Sequence, residues 1–370
     1  MTKVDELPGR AETYEVASQW KLMWWKFRKH KMAMIAVPII FIMYLLTMCC
    51  EFFTPYAPLD RFKSNKDCPP TAIHLWDGEG GFIGPFVYKK EYGLNEITYR
   101  REYVETDEII KLGFFVRGVE YKFLGLFPTE IHFFGPVEKD AEFFFMGTDS
   151  LGRDVFTRAL YGGRISLSFA VASIFLTFLI GLILGGVSGY LGGVVDTVIQ
   201  RMIDMIISMP TIPLWMSLAA ALPMTMSSLS RYLMMSLIMS LVGWTGLARV
   251  VRGKILSVRE EDFVIAARLS GASHGRVIAR HMLPSFMSYI IVSITGSIPV
   301  TILGEVALSF LQLGLQPPTI SWGTLLIDCQ TVEAIAMQPW KLFPALFIII
   351  TVLMFNFAGD GLRDAADPYK

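Results

Sequence analysis

The sequence is poor in charged residues. Asp, Glu, Lys and Arg make up 18% of its 370 residues, whereas an average soluble domain contains about 25%. The 33 basic residues balance the 33 acidic ones, so no excess of positive charge points to nucleic acid, and we expect no nucleic-acid partner. Hydrophobic residues reach 53%, which argues against an ordinary soluble fold.

Sequence patterns of nucleotide binding and catalysis are also missing. The chain has no GxxxxGK[ST] loop, which excludes an ATP site of that type. Its five histidines show neither HExxH nor another metal-ligand spacing. We therefore expect a chain that is not an enzyme and that has no catalytic residue, metal or cofactor of its own.

Cysteine is scarce, with four residues in the chain. Cys49 and Cys50 close the first apolar run, while Cys68 and Cys329 fall in segments that the topology below places outside the cell membrane. An oxidising compartment permits a disulfide, but a sequence alone cannot show that two cysteines meet. A Cys68–Cys329 disulfide and two unpaired thiols both stay open.

Long apolar runs dominate the rest of the chain. A membrane-spanning helix needs about 20 mostly apolar residues, and six runs meet this condition. The third is the weakest, because Pro210 and Pro213 interrupt it. The fold class predicted is an all-α polytopic membrane protein with six transmembrane helices, at about 32–52, 166–190, 198–222, 232–250, 285–311 and 341–359.

The positions of Lys and Arg predict the orientation of these runs. Basic residues gather in residues 21–31 and again between the fourth and fifth runs, at 249–280. Short cytoplasmic loops carry an excess of Lys and Arg. We therefore expect a cytoplasmic N-terminus at 1–31, which includes an interfacial helix rich in Trp and Lys, and a cytoplasmic C-terminus. The loop at 251–284 is cytoplasmic, and residues 53–145 lie outside.

Residues 53–145 differ in composition from the apolar runs. They are rich in aromatic residues, proline and charge. The stretches 113–117 and 119–124 predict short strands, and Gly80-Gly81, Gly84-Pro85 and Gly135-Pro136 predict turns between strands. We expect a small β-rich extracytoplasmic insert, followed by a core domain at 146–370 that contains the other five spans.

A charged segment that favours a helix separates the fourth and fifth runs. Acidic residues open it, where negative charge suits the helix dipole, and Gly271 ends it. Phe263, Ala266, Ala267 and Ser270 fall on one side, where their mostly small size permits close docking in a groove of another protein. The candidate docking residues are Glu260, Glu261, Phe263, Ala266, Ala267, Gly271, Leu283 and Pro284.

This segment resembles the EAA loop of ABC importer permeases, which docks on the ATP-hydrolysing subunit. The family pattern is EAA-xxx-G, nine residues, then I-x-LP. Five residues of that pattern are present, but Ile265 replaces the leading Glu and His281 stands in the place of Ile. The polar contact of that Glu is therefore not expected here. The matching residues are Ala266, Ala267, Gly271, Leu283 and Pro284.

Three further segments resemble the dipeptide and oligopeptide permease subfamily. Residues 147–158 read GTDSLGRDVFTR, residues 316–323 read QPPTISWG, and residues 356–368 read NFAGDGLRDAADP. The resemblance covers nearly the whole chain except 53–145. It implies the fold of a type I ABC importer permease in a bacterial or archaeal plasma membrane.

The resemblance also implies partners and a substrate class. The chain would form half of a pore with a second permease, a different chain. It would work with two ATP-binding subunits that hold ATP and Mg, an extracytoplasmic solute-binding protein and membrane lipid. Peptides are the default substrate, while oligosaccharides, opines and nickel stay open. The insert would either dock the binding protein or cover the pore, or it would be a stabilising appendage.

Glu305 is the deepest carboxylate of the fifth run, and it matches a Glu of the family. Acids within a membrane are costly and point to function. Glu305 would either line the translocation path and meet the amino terminus of a peptide, or be a buried structural acid bonded to Ser or backbone. Ion coupling through this acid, as in a secondary transporter, is a remote alternative.

Glycines recur at every fourth position of the second run and beyond it, at Gly181, Gly185, Gly189 and Gly193. A helix face built of glycine lets another backbone approach closely. The stripe therefore predicts either packing of two helices within this chain or a contact with the second permease.

Overall fold

The computed structural model describes residues 19–366 except 77–80, 95–98, 100, 124, 139–140 and 224. The helices are α1 (Gln19–Lys29), α2 (Lys31–Met48), α3 (Cys50–Phe53), α4 (Val155–Leu191), α5 (Gly193–Ile207), α6 (Thr211–Ala220), α7 (Ser228–Val258), α8 (Asp262–Leu269), α9 (His274–Arg276), α10 (Met287–Phe310), α11 (Trp322–Leu325), α12 (Val332–Met337) and α13 (Phe343–Ala366). The strands are β1 (His74–Trp76), β2 (Phe82–Leu94), β3 (Arg101–Phe123) and β4 (Phe127–Pro136).

Among the described residues, five helical stretches are long and apolar enough to cross a membrane. They are Lys31–Met48, Val155–Leu191, Ser228–Val258, His274–Phe310 and Pro339–Ala366. The prediction of a polytopic helical membrane protein is therefore confirmed.

The third predicted span is not one continuous helix. It consists of α5 and α6, which bend by 88° at their junction. Pro210 precedes α6 with an extended backbone, and proline cannot donate the hydrogen bond that would continue α5. The pair forms a sixth candidate span only as a broken one.

The glycine stripe of the second span packs α4 along α7. A Cβ atom at Gly185 would lie 2.6 Å from the carbonyl oxygen of Ala248, and one at Gly189 would lie 2.9 Å from that of Arg252. A Cβ at Gly181 would lie 2.9 Å from the side chain of Leu247. These three glycines therefore serve packing within the chain. Gly193 has nothing within 4 Å of such an atom and is not part of this contact.

Two ion pairs fasten α5 to the same helix α7. Asp196 accepts from the guanidinium of Arg252 at 2.5 Å, and Asp204 accepts from that of Arg249 at 2.5 Å. Such charge-assisted hydrogen bonds are about twice as strong as neutral ones. The amino-terminal half of the broken span is thus held against the half of α7 that leads to α8.

The predicted β-rich insert is confirmed as a four-stranded antiparallel sheet in the order β1-β2-β3-β4. The two short strands predicted at 113–117 and 119–124 are wrong in detail, because 113–117 and 119–123 belong to one 23-residue strand, β3, and residue 124 lies outside the described residues. The pairing of β3 with β4 shifts in register between Arg117 and Tyr121, so β3 continues past this position instead of ending there. Gly84-Pro85 lies inside β2 and Gly135-Pro136 ends β4, whereas Gly80 lies outside the described residues.

Cys68, before the sheet, and Thr148, after it, are hydrogen-bonded to each other. The Thr148 N–H donates to the Cys68 carbonyl at 2.9 Å, and the Cys68 N–H donates to the Thr148 hydroxyl at 2.9 Å. Further contacts join this region to α3, which follows the first span, and to the start of the last span. A His132 ring nitrogen lies 2.9 Å from the Glu51 carbonyl oxygen, and the Lys341 ammonium lies 2.7 Å from the Asp67 carboxylate. Cys68 and Cys329 are both free thiols, as are Cys49 and Cys50.

A tight elbow built on Asp149 leads from the insert into α4. One Asp149 oxygen accepts from the backbone N–H of Leu151 and Arg153, while the other accepts from the Arg153 and Arg158 guanidinium groups. Gly152 has φ +75°, and a Cβ there would lie 2.2 Å from the Phe62 carbonyl oxygen. Only glycine fits this turn.

Asp154 caps the amino terminus of α4. Its carboxylate accepts from the Thr157 N–H at 2.7 Å, as an N-cap residue should. The side chain is buried, and burial raises the pKa of Asp154 to about 6, although the hydrogen bonds from Thr157 act in the opposite direction.

Candidate functional site

The predicted docking segment contains one short helix, α8, with a defined end. The Ala272 N–H donates to the Ala267 carbonyl at 3.1 Å, and the Gly271 N–H donates to the Arg268 carbonyl at 2.9 Å. This pair of bonds is a Schellman motif, whose C′ residue is left-handed. Gly271 occupies that position with φ +78°. The sequence placed the end of the helix correctly at this glycine.

The inward side of α8 is fixed by Val264, which is fully buried. Val264 belongs to a hydrophobic cluster with Ile255 of α7, Val277 and Met282 of the π-helical turn Val277–Met282, and Ile290 of α10. Ala267 packs against the same cluster. Ala267 therefore lies towards the inward side of α8, as expected for the residue one turn after Val264, and its docking role stays a prediction.

The outward side of α8 is apolar. Phe263 is 44% exposed and Leu269 is 84% exposed. Ala266, which lies between them, and Ser270, which follows Leu269, are also exposed. Leu269 was not predicted as a docking residue, although its place three residues after Ala266 on a helix could have indicated it.

The remaining predicted residues flank this helix. Glu260 and Glu261 are exposed, and Glu260 pairs with Arg259 at 3.2 Å. Leu283 is half-buried against the hydrophobic cluster, and Pro284 is exposed in the 3-10 turn Leu283–Phe286. Because Pro284 has no N–H, the regular winding is interrupted here, between the π-helical turn Val277–Met282 and α10.

Tyr190, at the end of α4, lies against the same segment. It is 7% exposed and belongs to the hydrophobic cluster around Val264. Its hydroxyl lies 3.1 Å from Nδ1 of His274, which follows the turn at Gly271. Sequence reasoning missed Tyr190, because no local pattern links it to a helix so far along the chain.

Glu305 is separated from this segment and lies deep in the bundle. It is 1% exposed. One carboxylate oxygen accepts from the Ser166 hydroxyl of α4 at 2.9 Å, and the other accepts from the Ser309 hydroxyl at 2.9 Å. Ser166 in turn accepts from the Trp322 N–H at 3.1 Å. In this conformation Glu305 contacts the protein and does not face an open path.

Comparisons with known proteins agree with this arrangement. Residues 178–369 match the family described as "Binding-protein-dependent transport system inner membrane component". The chain belongs to this family. Residues 18–70 also match the "N-terminal TM domain of oligopeptide transport permease C". The chain is thus a membrane permease, and α8 lies inside the part that the family shares.

Named relatives of this permease come from several bacteria. The oligopeptide transport system permease protein OppC of Bacillus subtilis is 39% identical over 234 residues, which cover 63% of this chain and 73% of the relative. The dipeptide transport system permease protein DppC of Bacillus subtilis is 40% identical over 60% of this chain and 68% of its own length. The DppC protein of Lactococcus lactis is 34% identical over 354 residues, 93% of this chain and 89% of the relative.

Proposed function

We propose that this permease forms half of the translocation pore of an ATP-driven peptide importer and couples to its ATPase through α8. The observation that carries the proposal is that one side of this helix packs against the bundle while the other side is exposed. Val264 anchors it to the bundle, while Phe263 and Leu269 present exposed apolar side chains beside exposed glutamates. An amphipathic helix of this kind suits a groove on a partner protein.

Peptides are the proposed substrate. The relatives are named as oligopeptide and dipeptide permeases, and they share most of their length with this chain. The remaining subunits of the proposed assembly are a second permease of a different sequence, two ATP-binding subunits that hold ATP and Mg, and an extracytoplasmic solute-binding protein. Both termini and α8 lie on the cytoplasmic side, and membrane lipid surrounds the spans.

The packing beneath α8 supports a route for the coupling. When the ATP-binding subunits close on ATP, a docked α8 moves with them. Because Val264 shares one hydrophobic cluster with residues of α7, the π-helical turn and α10, that movement reaches two spans through this cluster. Close packing transmits such displacements. ATP binding then shifts the population of pore conformations, to the extent that it favours one of them.

In this scheme each predicted docking residue has a distinct task. Phe263, Ala266 and Leu269 contact the groove, and Glu260 and Glu261 contact basic groups at its rim. Gly271 directs the chain back to the membrane. Ala267 and Leu283 pack against the hydrophobic cluster and position the helix from its inward side, while Pro284 lies in the exposed 3-10 turn that leads into α10.

A cysteine cross-linking experiment tests the docking. Leu269→Cys and Val332→Cys place thiols at two residues that are each 84% exposed, one on α8 and one on α12. In native membranes, a bifunctional maleimide should join Leu269→Cys to an ATP-binding subunit identified by mass spectrometry. Val332→Cys should give no such product. Equal products from both variants, or none from Leu269→Cys, would count against docking through α8.

The substrate class is tested separately. Cells that lack the permease should lose uptake of labelled di- and oligopeptides and regain it with the intact gene. Uptake of nickel, opines or oligosaccharides in place of peptides would refute the substrate while leaving the docking result intact. Ion-driven transport by the purified chain alone would refute the ATP-driven mechanism.

A further inference from the structure

A cavity of ≈ 580 Å³ lies at the end of the bundle that carries α8. Its walls come from α1, the end of α7, the start of α10 and the end of α13. The span α2 also begins at this level, directly after α1. Since several spans begin or end around it, the cavity lies at the depth of the membrane surface, where lipid headgroups are found.

The polar lining of this cavity is basic. Lys26, Lys29 and Lys254 line it, together with Ser257, Ser285 and Ser288. No Asp or Glu is among the described residues that line it. Three ammonium groups around one cavity therefore favour an anion between them.

The aromatic lining indicates where this anion belongs. The Lys254 ammonium lies 3.7 Å from the centre of the Tyr289 ring, and Trp25 of α1 faces the same cavity. Trp and Tyr are typical of the membrane–water interface, where their rings lie among the headgroups. A lysine held on an aromatic ring is oriented before a ligand arrives.

Apolar residues complete the walls and distinguish a lipid from a soluble anion. Leu22 and Met23 of α1, Val258 of α7 and Phe286 line the cavity next to the lysines. A free phosphate gains nothing from such surface, whereas the glycerol and upper acyl carbons of a lipid can bury it. Basic pockets between spans on the cytoplasmic side are known to suit anionic headgroups.

We propose that this cavity binds one anionic phospholipid, with its phosphate contacted by Lys29 and Lys254. This goes beyond general contact with membrane lipid, because it assigns a single site with defined ligands. Phe286 and Val258 line the cavity and also contact the cluster that supports α8. A lipid bound here would therefore lie next to the hydrophobic cluster on which α8 packs.

The test uses the whole transporter complex, purified from membranes and placed in nanodiscs of phosphatidylglycerol and phosphatidylcholine in equal amounts. Native mass spectrometry counts the lipids that stay bound. The intact complex should retain one phosphatidylglycerol in preference to phosphatidylcholine. The double variant Lys29→Gln, Lys254→Gln should weaken this retention about thirtyfold, since the two lysines together contribute about 2 kcal/mol, at about 1 kcal/mol for each lysine near the surface.

The control is the double variant Arg28→Gln, Lys31→Gln, which removes the same charge from neighbouring positions that do not line the cavity. It should retain the lipid. Equal loss in both variants would overturn the site, because general surface charge would explain it. Displacement of the lipid by millimolar inorganic phosphate would overturn the choice of a lipid over a soluble anion.

A second measurement does not depend on variants. Phosphatidylglycerol that carries a photoactivatable headgroup should label the intact complex at peptides that contain Trp25 or Tyr289. Labelling spread evenly over all spans would contradict a single site, even if the lysine variants assembled poorly.

Discussion

The guanidinium group of Arg268, in the last turn of α8, lies 4.9 Å from the centre of the Tyr190 ring. Tyr190 ends the long span α4, and its hydroxyl faces His274 on the other side of the Gly271 turn. One aromatic ring therefore contacts the docking segment both before and after its turn. This ties α4 to the movement proposed for α8.

Replacing Tyr190 tests whether α4 and α8 are coupled through this ring. Tyr190→Leu removes the cation–π contact with Arg268 and the hydrogen bond to His274, and a contact of this kind contributes about 0.5–2 kcal/mol. We expect ATP-dependent peptide uptake to fall about fivefold, a change of roughly 1 kcal/mol, with normal amounts in the membrane. Tyr190→Phe keeps the ring and should retain most uptake. Equal losses in both variants would show that the ring over Arg268 has no role.

Gly271 is the second residue whose replacement should uncouple transport. Its left-handed backbone costs most L-amino acids about 1–2 kcal/mol, so Gly271→Val should disturb the Schellman turn. Gly271→Asp places a negative charge at the carboxyl end of α8, where the helix dipole disfavours it. We expect uptake to fall while insertion into the membrane is unchanged. Uptake assays with quantified membrane levels measure this.

Two controls accompany the Gly271 variants. Asparagine tolerates the left-handed region, so Gly271→Asn should retain more uptake than Gly271→Val. Gly275→Ala alters a nearby glycine that has open space around it and no positive φ, and it should be neutral. Normal uptake and normal ATPase assembly in Gly271→Asp would contradict the role of the turn.

Substitutions of Glu305 can distinguish a structural role of its carboxylate from contact with the substrate. Glu305→Leu leaves the buried hydroxyls of Ser166 and Ser309 without their acceptor, at about 1–3 kcal/mol for such a group. We expect a clear loss of thermal stability in the purified complex and a smaller loss in Glu305→Gln. If Glu305 instead met the peptide amino terminus, Glu305→Gln would abolish the preference for free over acetylated amino termini at unchanged stability.

The elbow that leads into α4 gives a prediction about how stability depends on pH. Burial raises the pKa of Asp154 to about 6, above the value of about 3.9 for an exposed Asp. Between these values the folded state binds more protons than the unfolded state, so this group lowers stability as pH rises from 4 to 6. Asp154→Asn keeps the N-cap and should flatten this part of the thermal stability profile.

Asp149 offers the matched comparison five residues away. Its carboxylate bonds two guanidinium groups, those of Arg153 and Arg158. Asp149→Asn should destabilise the complex at pH 7, because it leaves buried arginines without their counter-charge. A stabilising Asp149→Asn, or a destabilising Asp154→Asn at pH 7, would contradict these assignments.

The sequence predicted the apolar runs well, because span length and composition are set by the membrane itself. Pro210 even marked the place where the third run bends. The insert was harder to predict in detail. Its predicted interruption between 113–117 and 119–124 is only a register shift within β3, and pairing with β4 decides that a strand continues, not the local sequence.

Contacts between distant segments were the least predictable part of the site. Helical periodicity placed Phe263, Ala266 and Ala267 near one another but did not show which of them faces the bundle. The glycine stripe predicted a close approach of two helices without naming α7 as the second helix. Tyr190 carries no motif, and only the packing around Val264 reveals its position.

The pairing of Cys68 with Thr148 has a consequence for the history of the gene. Because Cys68 precedes the sheet and Thr148 follows it, and the two are hydrogen-bonded to each other, the segment between them can be removed and the ends rejoined by a short turn. Domains with adjacent ends tolerate such exchanges. A single deletion or insertion in the coding sequence could therefore change the protein by a whole domain while every helix kept its neighbours.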